Sequence, residues 1–210
     1  MPERRAPRAW GRKLEASFYR REVLDVAPDL LGRILIHDHT EGLTAGRIVE
    51  VEAYRGPEDQ AAHSKNWRKT PRTEVMWGPG ARAYMFLLYG IHWAFNLVTG
   101  EEGQPHAVLV RAVEPMAGFE LMAERRGMAS SRRELTNGPG KLCAALGLDR
   151  RHYGADLGGR ALYVREGGVP LASQVGVSPR INIDYAGAWV DKPWRWYLRG
   201  NRYVSVKPRD

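Results

Sequence analysis

The chain has 210 residues, 43% of them hydrophobic, which is enough for one substantial core and short for two full domains. Lys and Arg number 32 against 24 Asp and Glu, so the formal net charge is +8 and the isoelectric point is about 9.8. This surplus favours a polyanionic partner, nucleic acid first and anionic membrane second, although a basic protein without such a partner has the same composition.

Several common classes of protein leave patterns that this sequence lacks. It has no apolar run of about 18 residues, so no membrane-spanning helix is expected. The Arg-rich start has no signal-peptide segment, and the single Cys143 excludes an internal disulfide framework, which favours a reducing compartment. Neither a dinucleotide-binding G-x-G-x-x-G motif nor a complete Walker A motif is present. The histidines form no zinc pattern, and His37 and His39 are predicted to lie in a surface turn, so we expect neither metal nor organic cofactor.

The chain divides into a basic segment and one domain. Residues 1–15 are rich in Arg and Pro and are predicted to form a mobile arm, and residues 16–210 are predicted to form a single domain. A helix is predicted over 22–31, ending at Gly32. Further helices are predicted over 118–126 and from Asn137, as its cap, to Gly147, and strands are predicted over 33–36, 47–53, 83–88, 93–98, 107–113, 162–164 and 196–198.

Runs of strands with a few helices predict an α+β fold, a single domain with a curved, largely antiparallel β-sheet and peripheral helices. Strands and helices alternate too irregularly for a doubly wound parallel sheet. Within the second strand, Glu50, Glu52 and Tyr54 should project together while Val49, Val51 and Ala53 face the core. The Gly56-Pro57 turn could then bring His63 back over the strand end. A carboxylate beside two rings suits chemistry on a flat aromatic substrate.

Blocks of sequence in a fixed order extend beyond this strand. They are residues 50–64, Thr70-Pro71-Arg72, Tyr89-Gly90 with Asn96, residues 111–115, residues 138–143, residues 186–193, residues 197–200 and residues 204–206. Together they cover the chain from about Phe18 to Val206, and they resemble the alkyladenine (3-methyladenine) DNA glycosylase family.

This resemblance implies a monofunctional enzyme that flips an alkylated or deaminated purine out of duplex DNA and hydrolyses its N-glycosidic bond. Glu52 would be the general base that activates the attacking water, and Arg111 would hold that water and the nearby sugar-phosphate. Tyr54 and His63 would stack on one face of the base, and Phe86 on the other, where the family has Tyr. Tyr89 would fill the gap left in the duplex, and Asn96 would exclude normal guanine at the pocket floor.

The residues alone leave simpler readings open. Either glutamate could be a solvated charge at the edge of a strand, and Phe86 could be an ordinary core residue. Asn96 could be a satisfied buried amide. Arg111 interrupts an apolar run and needs a strong partner, which could be a structural salt bridge or a substrate phosphate.

Duplex binding is expected to rely on phosphates rather than on sequence. Lys141 follows the start of a predicted helix, and Arg68, Lys69 and Arg72 flank the Thr70-Pro71 turn, so these four residues are candidates for phosphate contacts. The expected partner is double-stranded DNA containing damaged purines, bound by a monomer and without a membrane. The expected location is the nucleoid in the cytoplasm of a bacterium, or the nucleus of a eukaryote.

Three rival functions are open at this stage. A bifunctional glycosylase-lyase would attack C1′ with a lysine, for which Lys65 and Lys69 are nearest. A catalytically inert damage-binding module would have no use for Glu52, and an unrelated hydrolase or transferase would leave Tyr89 unexplained. The sequence does not choose among 3-methyladenine, 7-methylguanine, hypoxanthine and etheno-adducts.

Overall fold

The computed structural model describes residues 8–206 and centres on one sheet of eight strands. Each strand pairs with antiparallel neighbours in the order β3-β4-β5-β2-β1-β6, and β8 pairs with both β2 and β7. The strands are β1 (Ile34–His39), β2 (Gly42–Arg55), β3 (Ala83–Leu88), β4 (His92–Thr99), β5 (His106–Ala117), β6 (Leu162–Arg165), β7 (Val175–Ser178) and β8 (Arg195–Leu198). The helices are α1 (Ala16–Tyr19), α2 (Val23–Asp29), α3 (Phe119–Arg126) and α4 (Pro139–Leu146). The predicted single α+β domain with a largely antiparallel sheet is confirmed.

The long strands β2 and β5 lie side by side in the middle of the sheet and are buried on both faces. Val51 and Ala53 belong to the main hydrophobic core, as the alternation predicts. Val49 does not, because the register shifts between Ile48 and Glu50 and Ile48 takes the core position instead. Such a bulge re-aims the side chains that follow it. The reading of Glu50 and Glu52 as solvated charges is wrong, since both are fully buried.

Helices α2 and α4 cover one face of this central pair of strands. In α2 the buried residues recur at helical spacing, Val23, Val26 and Ala27, so one stripe faces the core. Helix α4 starts with Pro139 and ends before Gly147, whose φ of +74° suits a glycine. The predicted Asn137 cap is wrong: the capping position is Gly138, and the Asn137 side chain accepts a bond from Lys141 instead.

The segment that was predicted to be a mobile arm is partly built into the fold. Residues 1–7 lie outside the described residues. Lys13 pairs with Arg165 at the sheet edge, and the backbone N–H of Leu14 donates to the carbonyl of Val164 at 2.9 Å. Leu14 is also buried in the main core. Residues 8–15 are therefore held to β6, because burial of Leu14 and the backbone bonds offset the entropy of ordering them.

His37 and His39 lie in β1 rather than in a surface turn. His37 is buried, its Nδ1–H donates to the carbonyl of Leu146 at 2.7 Å, and its Nε2 lies 3.1 Å from Nε2 of His152. Within residues 8–206 no group of three metal-binding side chains is present, and no helix has the length and apolarity to cross a bilayer.

Candidate active site

A cavity of about 380 Å³ opens where β2 to β5 meet the start of α4 and the loop 179–185. Of the eleven residues predicted for the site, seven line this cavity and come from separate parts of the chain. They are Tyr54, His63, Phe86, Tyr89, Asn96, Arg111 and Lys141. The fold therefore brings the predicted base-binding residues to one place.

Glu52 stands directly behind the cavity wall, on β2. Its carboxylate is fully buried and accepts hydrogen bonds from Tyr54 Oη and from the backbone N–H of Ile181, both at 2.8 Å. The guanidinium of Arg111 lies 3.3 Å from the same carboxylate. Since Tyr54, Arg111 and Ile181 all line the cavity, three cavity residues fix the orientation of one carboxylate.

Arg111 connects Glu52 to a second carboxylate, Glu50, through its Nε at 3.0 Å. Glu50 also accepts from Arg195 Nε at 2.8 Å and from the backbone N–H of Ser205 at 2.6 Å. Burial alone would lower the pKa of Arg111, but the charges of Glu52 and Glu50 outweigh burial and raise it. The salt-bridge reading of Arg111 is thus confirmed, and the same residue also borders the cavity.

The aromatic wall combines three rings from β3 and the segment after β2. His63 Nδ1 lies 2.8 Å from Tyr84 Oη, and the His63 ring meets Phe86 edge-on, with ring centres 4.6 Å apart. Burial, with smaller contributions from the charges of Arg72 and Lys65, lowers the pKa of His63 to about 4. The imidazole is therefore neutral at pH 7. Phe86 is only partly buried, so it is a cavity residue as well as a packing residue.

Tyr84 was missed at the sequence level although a signal for it exists. It precedes Phe86 by two residues on β3, and alternate residues of a strand share a face. Its ring lines the cavity and is buried, which raises the pKa of its hydroxyl to about 12. It remains a neutral hydrogen-bonding partner of His63.

Asn96 lies on β4, opposite Tyr84 in the register. It is buried, and its Nδ2 donates to the backbone carbonyl of Tyr84 at 3.1 Å. Asn96 also lines the cavity, so one side chain is both a satisfied buried amide and part of the cavity wall. Its orientation is fixed by the adjacent strand.

Tyr89 occupies the tip of the β3–β4 hairpin and is 79% exposed. Its φ is +51° and that of Gly90 is +75°, which places both in the left-handed region of a tight turn. The Oη of Tyr89 accepts a bond from Asn182 at 3.3 Å, across the cavity mouth. Ile91, on the same tip, is 71% exposed.

The basic residues divide into two groups. Lys141 lines the cavity, where its Nζ donates to Asn137 Oδ1 at 3.0 Å, and Arg126, which was not predicted, lines it too. Arg68, Lys69 and Arg72 do not line the cavity and are exposed on the segment that follows His63. The guanidinium of Arg72 nevertheless lies 5.9 Å from the centre of the Phe86 ring.

The loop 179–185 contributes residues that sequence reasoning missed, because a loop carries no periodic pattern. Arg180 and Asp59 form a buried pair, with Nη2 to Oδ1 at 2.8 Å. The guanidinium of Arg180 also lies 4.8 Å from the centre of the Tyr54 ring. The next residue, Ile181, supplies the N–H that Glu52 accepts. This loop therefore holds both the carboxylate and the ring beside it.

Comparison with known proteins identifies the family of this site. Residues 17–202 match the family model described as "Methylpurine-DNA glycosylase (MPG)". The chain belongs to this family. It is therefore a DNA glycosylase, an enzyme of DNA repair that processes alkylated bases and takes DNA as its substrate.

Curated relatives of similar length agree with this assignment. The chain is 49% identical over 203 residues to a protein of Desulfitobacterium hafniense (93% of this chain and 100% of the relative). It is 47% identical over 192 residues to one of Bacillus subtilis (91% and 96%). It is 42% identical over 205 residues to one of Clostridium acetobutylicum (94% and 100%). All three carry the name "Putative 3-methyladenine DNA glycosylase". The family resemblance stated from the sequence is confirmed.

Proposed function

We propose that this methylpurine-DNA glycosylase is monofunctional. It flips an alkylated or deaminated purine out of duplex DNA into the 380 Å³ cavity and hydrolyses its N-glycosidic bond with water. The strongest support is the position of Glu52: its buried carboxylate lies immediately behind a cavity lined by aromatic rings, and three donors fix its orientation.

Glycosidic hydrolysis needs an activated water and stabilisation of positive charge on the sugar. In this proposal Glu52 meets both needs, because its oxygen takes the proton of the water and its charge lies near the developing cation. Arg111 helps to hold the water and the sugar-phosphate. Glu50 has a different role. It pairs with Arg111 and Arg195, so the charges of these two guanidiniums are balanced by two carboxylates and not by Glu52 alone.

The rings that line the cavity would recognise the base. Tyr54 and His63 would stack on one face of a flipped purine and Phe86 on the other, with the neutral imidazole of His63 avoiding repulsion of a positively charged base. Asn96, fixed by the carbonyl of Tyr84, would obstruct the 2-amino group of normal guanine. Damaged purines therefore form the proposed substrate class.

The proposed contacts with the duplex lie around the cavity mouth. The exposed Tyr89 would insert where the base has left, and Lys141, Arg68, Lys69 and Arg72 would contact phosphates. One flipped base occupies one site, so we propose a monomer as the active form. The proposed location is wherever the DNA lies, the nucleoid of a bacterium or the nucleus of a eukaryote.

The glycosylase-lyase alternative has less support from the geometry. Lys65 Nζ lies 5.6 Å from the centre of the Tyr185 ring, and neither Lys65 nor Lys69 lines the cavity. A lysine that forms a Schiff base must reach C1′ of the sugar. Lys141 does line the cavity, but its Nζ is engaged in a bond to Asn137 Oδ1 at 3.0 Å.

The deciding experiment measures base release from duplexes that each carry one defined lesion: 3-methyladenine, 7-methylguanine, hypoxanthine or ethenoadenine. The protein should release at least one of these bases and leave an intact abasic strand, also in the presence of EDTA. Borohydride should trap no covalent complex. A trapped complex would establish the lyase mechanism, and release of none of these bases would refute the proposed substrate class.

A further inference from the structure

One tryptophan differs from the other six in its exposure. Trp67 is 69% exposed, whereas the six others are at least partly buried. The ring of Trp77 lies beside it, with ring centres 6.0 Å apart. A single exposed aromatic side chain is ordinary on a protein surface. The backbone and the surroundings of Trp67, however, distinguish it from an ordinary surface residue.

The backbone of Trp67 has a conformation that disfavours a large side chain. Its φ is +61°, and that of the preceding Asn66 is +54°, so two successive residues that are not glycine lie in the left-handed region. Asn tolerates this region, but a bulky residue adopts it only at a cost in conformational energy, which glycine would avoid. Strain of this kind is typically retained at binding sites. The chain therefore keeps an indole in water at a position that suits glycine better.

Trp67 belongs to a segment, residues 65–72, that runs along the rim of the cavity. Near its start, the Nζ of Lys65 lies 5.6 Å from the centre of the Tyr185 ring. At its end, the guanidinium of Arg72 lies 5.9 Å from the centre of the Phe86 ring. Tyr185 and Phe86 both line the cavity. The exposed indole thus lies between two residues that each contact the cavity wall.

The same segment carries four cations. Among the ion pairs within residues 8–206, none involves any of the four, which are Lys65, Arg68, Lys69 and Arg72. Arg68 and Lys69, which directly follow Trp67, are exposed. Surfaces that hold unstacked nucleotides combine these features, because cations attract the phosphates and an aromatic ring stacks on the base.

Base flipping would supply an unstacked nucleotide at this place. A flipped nucleotide stays covalently joined to its neighbours, so the strand that carries it must cross the cavity rim as it enters and leaves. A rotated backbone and an inserted side chain also partly unstack the adjacent base step. The lesion strand therefore offers a base with a free face beside the cavity, whereas an intact duplex keeps its bases stacked on one another.

We propose that Trp67 is a second DNA-contacting ring, which packs against the nucleotide next to the flipped one on the lesion strand, while Arg68 and Lys69 hold its phosphates. The inference rests on the proposed flipping of a purine into the cavity. Tyr89 and Trp67 then have separate roles, since Tyr89 fills the gap inside the duplex and Trp67 holds the strand outside it. Trp67 is a positioning residue: it stabilises the flipped state and touches no reacting atom.

The test measures affinity by fluorescence anisotropy for duplexes that carry hypoxanthine or 7-methylguanine on a 2′-fluorinated sugar, and for the undamaged duplex of the same sequence. The fluorine destabilises the sugar cation, so the base is not released during the measurement. Trp67→Gly should weaken binding to the lesion duplexes about fivefold or more, because a stacked ring is lost. Binding to the undamaged duplex should change less. Trp67→Asn, which tolerates the left-handed region without the flexibility of glycine, should show the same losses.

Two variants serve as controls. Trp67→Phe keeps an aromatic ring and should retain most of the affinity for the lesion duplexes. Leu171→Ala removes an apolar side chain that is also 69% exposed but does not line the cavity, and should leave the affinity unchanged. The melting temperature of Trp67→Gly should stay within about 2 °C of wild type, because relief of strain offsets the lost contact with Trp77 and the freedom of glycine.

A ring that serves only to pack on Trp77 would give the opposite result, a lower melting temperature with unchanged affinity, and would overturn the proposal. Equal losses of affinity for damaged and undamaged duplex would also overturn it, since the contact would then not depend on flipping. Release of neither base by the wild-type protein, measured on the same lesions with ordinary sugars, would contradict the proposed function instead. That result is separate from the effect of Trp67 on binding.

Discussion

Glu50 and Glu52, two residues apart on β2, have different surroundings although both are fully buried. Glu50 is enclosed by Arg111, Arg195 and Ser205. Glu52 instead accepts from Tyr54 and Ile181, which line the cavity. The difference predicts distinct consequences for the same substitution at the two positions.

Glu52→Gln should retain binding to lesion-containing DNA and lose base release by about 10²–10⁴-fold, because the amide cannot accept the proton of the water. Glu50→Gln should instead lower the free energy of unfolding by about 3–5 kcal/mol, because it leaves two buried guanidiniums short of a counter-charge. Single-turnover release, equilibrium binding and urea denaturation separate the two effects. Release by Glu52→Gln at close to the wild-type rate would refute the general-base role.

The sequence indicated these two carboxylates and the side of the strand on which they lie, because alternation is local. It could not distinguish their roles. The two glutamates differ in their partners, which are Ile181 for Glu52 and Arg195 and Ser205 for Glu50. These partners follow more than 120 residues later in the chain, and their contacts arise from tertiary folding. The same holds for Arg180, which lies in a loop without periodic pattern and meets Asp59 only in the folded chain.

At the scale of elements, the β3–β4 hairpin supplies much of the site. Tyr84 and Phe86 come from β3 and Asn96 from β4, while Phe95 and Leu97 anchor the hairpin in the main core. The bounds of β3 match its prediction, because its ends coincide with the Gly90 turn and the preceding Gly80-containing segment. β7 (Val175–Ser178) was missed, since four residues that include Gly176 give no clear pattern.

The tip of this hairpin carries the proposed wedge. Tyr89→Ala should weaken binding to a lesion duplex about tenfold, because a stacked aromatic ring is worth about 1–3 kcal/mol per base. Thermal stability should be unchanged, since the side chain is 79% exposed. Ile91→Ala on the same tip controls for loss of apolar area and should weaken binding less. Equal affinity of Tyr89→Ala and wild type for lesion DNA would argue against insertion.

Another link between elements joins β1 to the end of α4 through His37. Burial lowers the pKa of His37 to about 4, below its ordinary value of about 6.5. The unfolded chain therefore binds a proton between pH 6.5 and 4 that the folded chain does not, so stability falls as pH falls through this window.

The contribution of His37 should make the protein about 2 kcal/mol less stable at pH 5 than at pH 7. His37→Asn, which can still donate to the carbonyl of Leu146, should show a correspondingly smaller difference between the two pH values. Urea unfolding followed by circular dichroism measures both. An identical pH dependence in wild type and variant would show that His37 is not responsible.

At the scale of the whole molecule, part of the positive charge is committed internally and part is available to DNA. Arg111, Arg180 and Arg195 are buried and paired with carboxylates. Arg68, Lys69 and Arg72 are exposed on the segment after His63. The composition thus indicated a polyanionic partner correctly, but it could not show which arginines serve the interior.

If four cations contact phosphates, the affinity for undamaged duplex should fall with salt with a log–log slope of about −3.6. Lys69→Gln should reduce the slope by about 0.9, because one counterion fewer is released. Fluorescence anisotropy between 50 and 200 mM salt measures it. Arg12→Gln is the control, since Arg12 is 90% exposed at the β6 edge, opposite β3 in the sheet order. Equal slopes for both variants would exclude the 68–72 segment from the interface.

The ionic network around Glu50 also has a consequence for how the enzyme is made. Glu50 precedes Arg195 by 145 residues and Ser205 by 155. During synthesis these partners of its carboxylate leave the ribosome only when nearly the whole chain has been made. We expect β2 to reach its native burial late, after the local β3–β4 hairpin has formed. Pulse-labelling hydrogen exchange during refolding should show amides of β4 protected before those of β2. The strand that carries the proposed general base would then be among the last parts to mature, and an incomplete nascent chain would lack the proposed site.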